Sequence, residues 1–337
     1  MTQLKISKRK FDDLQACSND RGVIAAAAMD QRGSLENALI KSGDGPVGAE
    51  QMGAFKTAVT EILTPHATAV LLDPLYGLEA SRKRADGTGL LLAYEESGYD
   101  ISTPGRLPEV LGGWSVRRLA EAGANAVKVL LYYNPQEGGE INEQKHAFIE
   151  RVGAECESVG LPFFLEPVTY DDSISNELEF AKRKPDYVKE TMAEFSKDRY
   201  GVDILKVEFP FNAKYTGGLA AEGEIAYNRD EAMQHAKEAA DATDKPFIYL
   251  SAGVDMSVFL ASLELVGEAG VPFSGVLCGR ATWKGGIPVF AQQGEPALRS
   301  WLAGEGVDNI EKLNALLDQS ATPWWDRYGG LDNIVTS

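Results

Sequence analysis

The chain has 337 residues, 44% of them apolar, and carries a formal charge of −17 at pH 7. That much apolar material can fill one large core, while the charge argues against a nucleic-acid partner or an anionic membrane. Three scattered cysteines exclude a disulfide framework, the start lacks an apolar leader, and no run reaches transmembrane length, so a reduced cytoplasm is the expected setting.

Residues 1–20 read as a short amphipathic helix stopped at Ser18-Asn19-Asp20. Eight short apolar runs follow. They cover 23–29 before Asp30, 67–72 before Asp73, 89–94 before Glu95, and 126–133 with Lys128 inside. The others are 161–165 before Glu166-Pro167, 203–210 with Lys206 and Glu208 inside, 247–250 before Ser251, and 275–277 before Cys278-Gly279-Arg280. Helical patterns separate most of them, at 50–63, 114–122, 143–159, 185–195, 229–242 and 256–269. Solid apolar strands alternating with helices imply a parallel sheet covered on both faces. Eight such units predict an α/β fold, a (β/α)8 TIM barrel, with a doubly wound open sheet as the runner-up. One domain is expected over 1–337: a barrel core at about 21–300, a helical tail at 301–337, and extra helices at both ends.

The run around Lys206 is the unusual one. Side chains alternate along a strand, so Lys206 and Glu208 face one way and Leu205, Val207 and Phe209 the other. A lysine within such a run is either paired or deprotonated. In a barrel the active site lies at the C-terminal strand ends. Those ends carry Asp30, Asp73, Lys128, Glu166, Lys206, Glu208, Ser251 and Arg280, and so many desolvated charges on one face cost too much to serve stability alone. Two lysines at one mouth favour a neutral amine on one of them, able to form a Schiff base with a carbonyl. Glu166 is then the candidate for proton transfer. The competing reading of Lys128 is an ion pair with Asp73 or Glu166. Ser251-Ala252-Gly253 and Gly279-Arg280, after the last two runs, suit a phosphate cradle. The glycine-rich stretch from Gly43 to Gly48 matches a dinucleotide-binding pattern but follows a helix, so it reads as a loop. His66, His146 and His235 have no metal-ligand spacing.

These motifs, in their order, resemble the class I tagatose 1,6-bisphosphate aldolases along nearly the whole chain. The matching stretches include Met29-Asp30-Gln31-Arg32-Gly33, Leu72-Asp73-Pro74, Glu95 with Gly98-Tyr99-Asp100, and Ala126-Val127-Lys128. They continue with Phe163-Phe164-Leu165-Glu166, Leu205-Lys206-Val207-Glu208, Ser251-Ala252-Gly253 and Cys278-Gly279-Arg280. The resemblance implies a barrel that cleaves a ketose bisphosphate without metal or cofactor. It implies Lys206 as the Schiff-base lysine and Glu166 as the general acid/base. Asp30, Gln31 and Lys128 would line the site, and Ser251, Gly253, Gly279 and Arg280 would hold the ketone-end phosphate. Arg32 is our own candidate for the distal phosphate. The substrate partner is thus a small sugar phosphate, with neither nucleic acid nor membrane, and a homo-oligomer is expected. Leu75 and Pro167 depart from the family pattern. Glu166-Pro167-Val168 is shared with related sulfo-sugar phosphate aldolases, one alternative; a sugar-phosphate-binding regulator without activity is another.

Overall fold

The structure is a computed structural model that describes residues 3–43, 45–96, 103–219 and 223–337. The Gly98-Tyr99-Asp100 motif and Asp44 lie outside the described residues. A short strand β1 (Leu4–Ile6) opens the chain. Eight parallel strands then close into a barrel in sequence order: β2 (Ile24–Met29), β3 (Ala69–Leu72), β4 (Gly89–Ala93), β5 (Ala126–Tyr133), β6 (Phe163–Thr169), β7 (Ile204–Val207), β8 (Phe247–Leu250) and β9 (Gly275–Cys278). β9 pairs back onto β2 from Ile24↔Gly275 to Ala27↔Cys278, which completes the ring. The open-sheet alternative is thereby excluded.

Alternation along the strands builds two cores. Ala26, Ala28, Ala69, Leu71, Leu91, Ala126, Phe164, Ile204, Ile248 and Leu277 point into the barrel. The intervening residues, such as Val70, Leu92, Val129, Leu165 and Val276, pack outward against the helices. The small alanines of β2 leave room for Phe164. At the N-terminal end the same inner cluster runs on into Leu14, Cys17 and Trp324, so the first helix and the tail plug the barrel floor. Phe11 packs edge-on against Trp324, with ring centroids 6.0 Å apart.

Four departures from the sequence reading have physical causes. The N-terminal helix is shorter, Lys8–Ala16, because Leu4–Ile6 pairs with a C-terminal strand β10 (Ile334–Thr336). Two three-residue strands from opposite chain ends leave no local signal. The helix expected from Pro185 starts at Glu177 instead, where the Asn176 side chain accepts the Leu178 and Glu179 N–H groups as an N-cap. Pro185 is accommodated inside it. The strand expected to end at Glu166-Pro167 runs on to Thr169, because its pairing with β5 continues through Thr169↔Tyr133. The strand around Lys206 is shorter than 203–210 and leaves Glu208 beyond its end.

Gly275 sits at the barrel seam with a φ of +128°, and a Cβ there would collide with the Ile24 carbonyl. Gly275→Ala should cost about 1–3 kcal/mol, as overpacking at a strained position does. Calorimetry on the pure protein should show a lowered thermal midpoint, and an unchanged midpoint would contradict this account of the seam.

Candidate active site

Strand parity brings the charges together. Asp30 continues the inward set of β2 and Glu95 that of β4, while Lys128, Glu166 and Lys206 are inward residues of β5, β6 and β7. Glu166 is shared between two lysines. Its Oε1 lies 2.8 Å from Lys206 Nζ and its Oε2 lies 2.7 Å from Lys128 Nζ. Lys128 also donates to Asp30 Oδ2 and to Glu95 Oε1, both at 2.8 Å.

The electrostatics follow from that geometry. Burial alone would lower the Lys128 pKa, but Asp30, Glu166 and Glu95 together hold it well above the usual lysine value. Of the two lysines expected to compete over one proton, Lys128 is therefore bound to its charge. Burial would raise Asp30, yet Lys128 and Lys206 keep its carboxyl well below the usual range. Glu95 keeps the upward shift that burial imposes, despite Lys128 beside it.

Above this cluster opens a cavity of about 780 Å³. Lys206, Glu166, Asp30, Gln31, Arg32, Ser251, Gly253, Gly279 and Arg280 all line it. Lys128 does not. Its side chain is fully buried, because Lys128 pairs with Phe164 in the β5–β6 register, one layer beneath the Leu130↔Glu166 pair. Asp73 is also absent from the mouth. Its Oδ1 accepts the Leu75 and Tyr76 N–H groups, which folds the side chain back over its own turn. Its Oδ2 meets the buried Lys56 at 2.5 Å. The ion pair considered between Lys128 and Asp73 is thus replaced by Lys56–Asp73. Glu95 joins the site as well, and its parity with Ala93 is the sequence signal for it. Ser34, Asn37 and Tyr132 also line the cavity and carry no sequence signal of their own.

Two basic positions flank the cavity. After β8 the backbone turns through two left-handed residues, Ala252 (φ 47°) and Gly253 (φ 76°). A non-glycine residue in that region is strained, a feature that clusters at ligand sites. A Cβ on Gly253 would lie 2.7 Å from Arg280 Cζ, so the guanidinium rests directly on that glycine. Ser251 Oγ accepts the Gly279 N–H at 3.4 Å and ties the two turns together. The second basic position is Arg32, which is 5% exposed. Its Nη2 donates to the Glu95 carbonyl at 2.7 Å, while Nε and Nη1 have no hydrogen-bond partner among the described residues. The helix Gly33–Ser42 starts at the same point, and helix N-termini favour anions.

Comparisons with known proteins identify the family. A family model described as "DeoC/LacD family aldolase" matches residues 24–285. The chain is 51% identical over 333 residues to a protein of Listeria monocytogenes named tagatose 1,6-diphosphate aldolase, covering 98% of each. It is 50% identical over 323 residues to one of the same name from Staphylococcus aureus, covering 95% of this chain and 99% of that one. Among solved structures, a fructose-bisphosphate aldolase from Plasmodium falciparum superposes with a TM-score of 0.68 over 96% of this chain and 99% of its own. At 12% identity that likeness concerns the fold. With the family model matching most of the chain and relatives at half identity along nearly all of it, the chain belongs to the DeoC/LacD aldolase family.

Proposed function

We propose that the chain is a Schiff-base aldolase that cleaves tagatose 1,6-bisphosphate to dihydroxyacetone phosphate and glyceraldehyde 3-phosphate. One observation carries the reading: the Lys206 amine and the Glu166 carboxylate stand 2.8 Å apart on the wall of a cavity flanked by two arginines. The names of the relatives support the choice of sugar.

In this mechanism Lys206 attacks the C2 ketone, and loss of water gives a protonated imine. That cation draws electrons from the C3–C4 bond. Glu166, already in contact with the amine, takes the proton of the C4 hydroxyl, and the bond breaks. Glyceraldehyde 3-phosphate leaves. The enamine is protonated at C3, and hydrolysis releases dihydroxyacetone phosphate and restores Lys206. Asp30 and Gln31 orient the hydroxyls. Lys128 acts from beneath, where its fixed charge holds Asp30 ionised and keeps the Glu166 side chain in place. Ser251, Gly253, Gly279 and Arg280 hold the C1 phosphate. Arg32, whose Nε and Nη1 have no partner among the described residues and which stands beside the first turn of the helix Gly33–Ser42, holds the C6 phosphate.

Lys206→Met should abolish turnover in a coupled triose-phosphate assay, since no other lysine lines the cavity among the described residues; residual wild-type-like activity would refute the assignment. Glu166→Gln should lower kcat roughly 10²–10⁴-fold, the worth of a general acid/base. Arg32→Met should raise KM for tagatose 1,6-bisphosphate about 10- to 100-fold, the value of hydrogen bonds to a charged group. It should leave KM for a ketose 1-phosphate lacking the C6 phosphate nearly unchanged, and equal effects on both substrates would contradict the distal role.

A further inference from the structure

The β6–β7 seam carries one more inference, which rests on the Schiff-base reading. Glu166 and Lys206 stand on adjacent strands, yet those strands part at their level. The β6–β7 register covers Phe164↔Ile204 and Leu165↔Leu205 and goes no further. β6 nevertheless stays paired with β5 as far as Thr169↔Tyr133. A strand sends its backbone groups to alternate sides. The Phe163 carbonyl accepts the Asp203 N–H, and the Thr169 N–H reaches Glu208, so the odd-numbered residues of β6 turn their backbone toward β7. After Leu165 the next donor in line is residue 167. It is proline, which has no N–H to give. The ladder therefore fails immediately beside the reacting pair.

Glu208 bridges the opening from the other strand. Its Oε2 accepts the Thr169 N–H at 2.7 Å and the Thr169 hydroxyl at 2.8 Å. Its Oε1 lies 3.0 Å from Lys184 Nζ, on the helix Glu177–Phe195 that connects β6 to β7. Both the Glu208 and the Lys184 side chains are mostly buried. One carboxylate thus joins the end of β6, the end of β7 and their crossover helix. A side chain on a two-carbon stem spans a wider gap than a ladder hydrogen bond, so the strands are fixed apart rather than drawn together. We propose that Glu208 is a positioning residue: with Pro167 opening the sheet, the Glu208–Thr169–Lys184 clamp sets the spacing between Glu166 and the Lys206 amine.

Glu208 also lines the cavity, so direct contact with substrate is the rival role. Glu208→Ala, Glu208→Gln and Thr169→Val in the full chain separate the two. The clamp predicts that Glu208→Ala lowers kcat about 10²-fold, as an ångström-scale misplacement does, with KM nearly unchanged. Glu208→Gln keeps an oxygen for the Thr169 donors and should recover part of that loss. Thr169→Val removes one of those donors without altering a cavity-lining residue, and should lower kcat in the same sense by less. A raised KM at wild-type kcat in the Glu208 variants would assign the residue to substrate binding and overturn the clamp. A lowered thermal midpoint with full kcat would overturn it equally, since the carboxylate would then serve stability alone. Should Lys206→Met retain turnover, the Schiff-base reading fails; should Lys206→Met be dead while the three clamp variants keep wild-type kcat, only the clamp fails.

Discussion

One carboxylate serving two lysines organises the mouth of this barrel. Glu166 touches Lys206 through one oxygen and Lys128 through the other. The two amines are not equivalent. Lys128 is enclosed by Asp30, Glu95 and Glu166, and the three carboxylates outweigh the burial that would strip its proton. Lys206 lines the cavity and meets the Glu166 carboxylate there. The division of labour follows from depth. A lysine one layer down is a permanent charge, and a lysine at the surface of the cavity is available to a ketone.

The rest of the fold explains why this arrangement can persist. Buried ion pairs are weak stabilisers, because desolvation offsets most of their attraction. The stability must come from elsewhere, and the two apolar layers of the barrel supply it. The inner layer is filled by alanines, leucines, Phe164 and isoleucines, and sealed below by Leu14 and Trp324. Charged side chains replace them in the upper layer and, just beneath it, at Lys128 beside Phe164. The sheet itself is complete below that layer and opens between β6 and β7 at it. The scaffold is thus most regular where it carries no chemistry, and departs from regularity beside Glu166 and Lys206.

Much of this was legible in the residues. Each barrel strand is a run of apolar side chains ended by something polar, and an eightfold count of such runs leaves few other folds. Lys206 stood out because nothing apolar explains an ammonium in the run that contains it. Other features were hidden for physical reasons. Pro167 looks like a strand stop, but its missing N–H faces only β7, so pairing with β5 carries the strand past it. Asp73 resembles Asp30 in sequence position, and only the turn formed by Leu75 and Tyr76 sends it to Lys56. Lys128 reads as a residue of the site, while its depth becomes plain only from the register with Phe164. The pairing of β1 with β10 joins the two chain ends and has no local trace at all.

The central claim is that the amine of Lys206 captures a ketone. The most direct measurement is reduction by borohydride in the presence of dihydroxyacetone phosphate, followed by mass spectrometry of the proteolysed chain. This account predicts a stable three-carbon phosphate adduct on the peptide carrying Lys206, absent when either reagent is withheld. An adduct on Lys128, or none on an enzyme that is turning over, would contradict it.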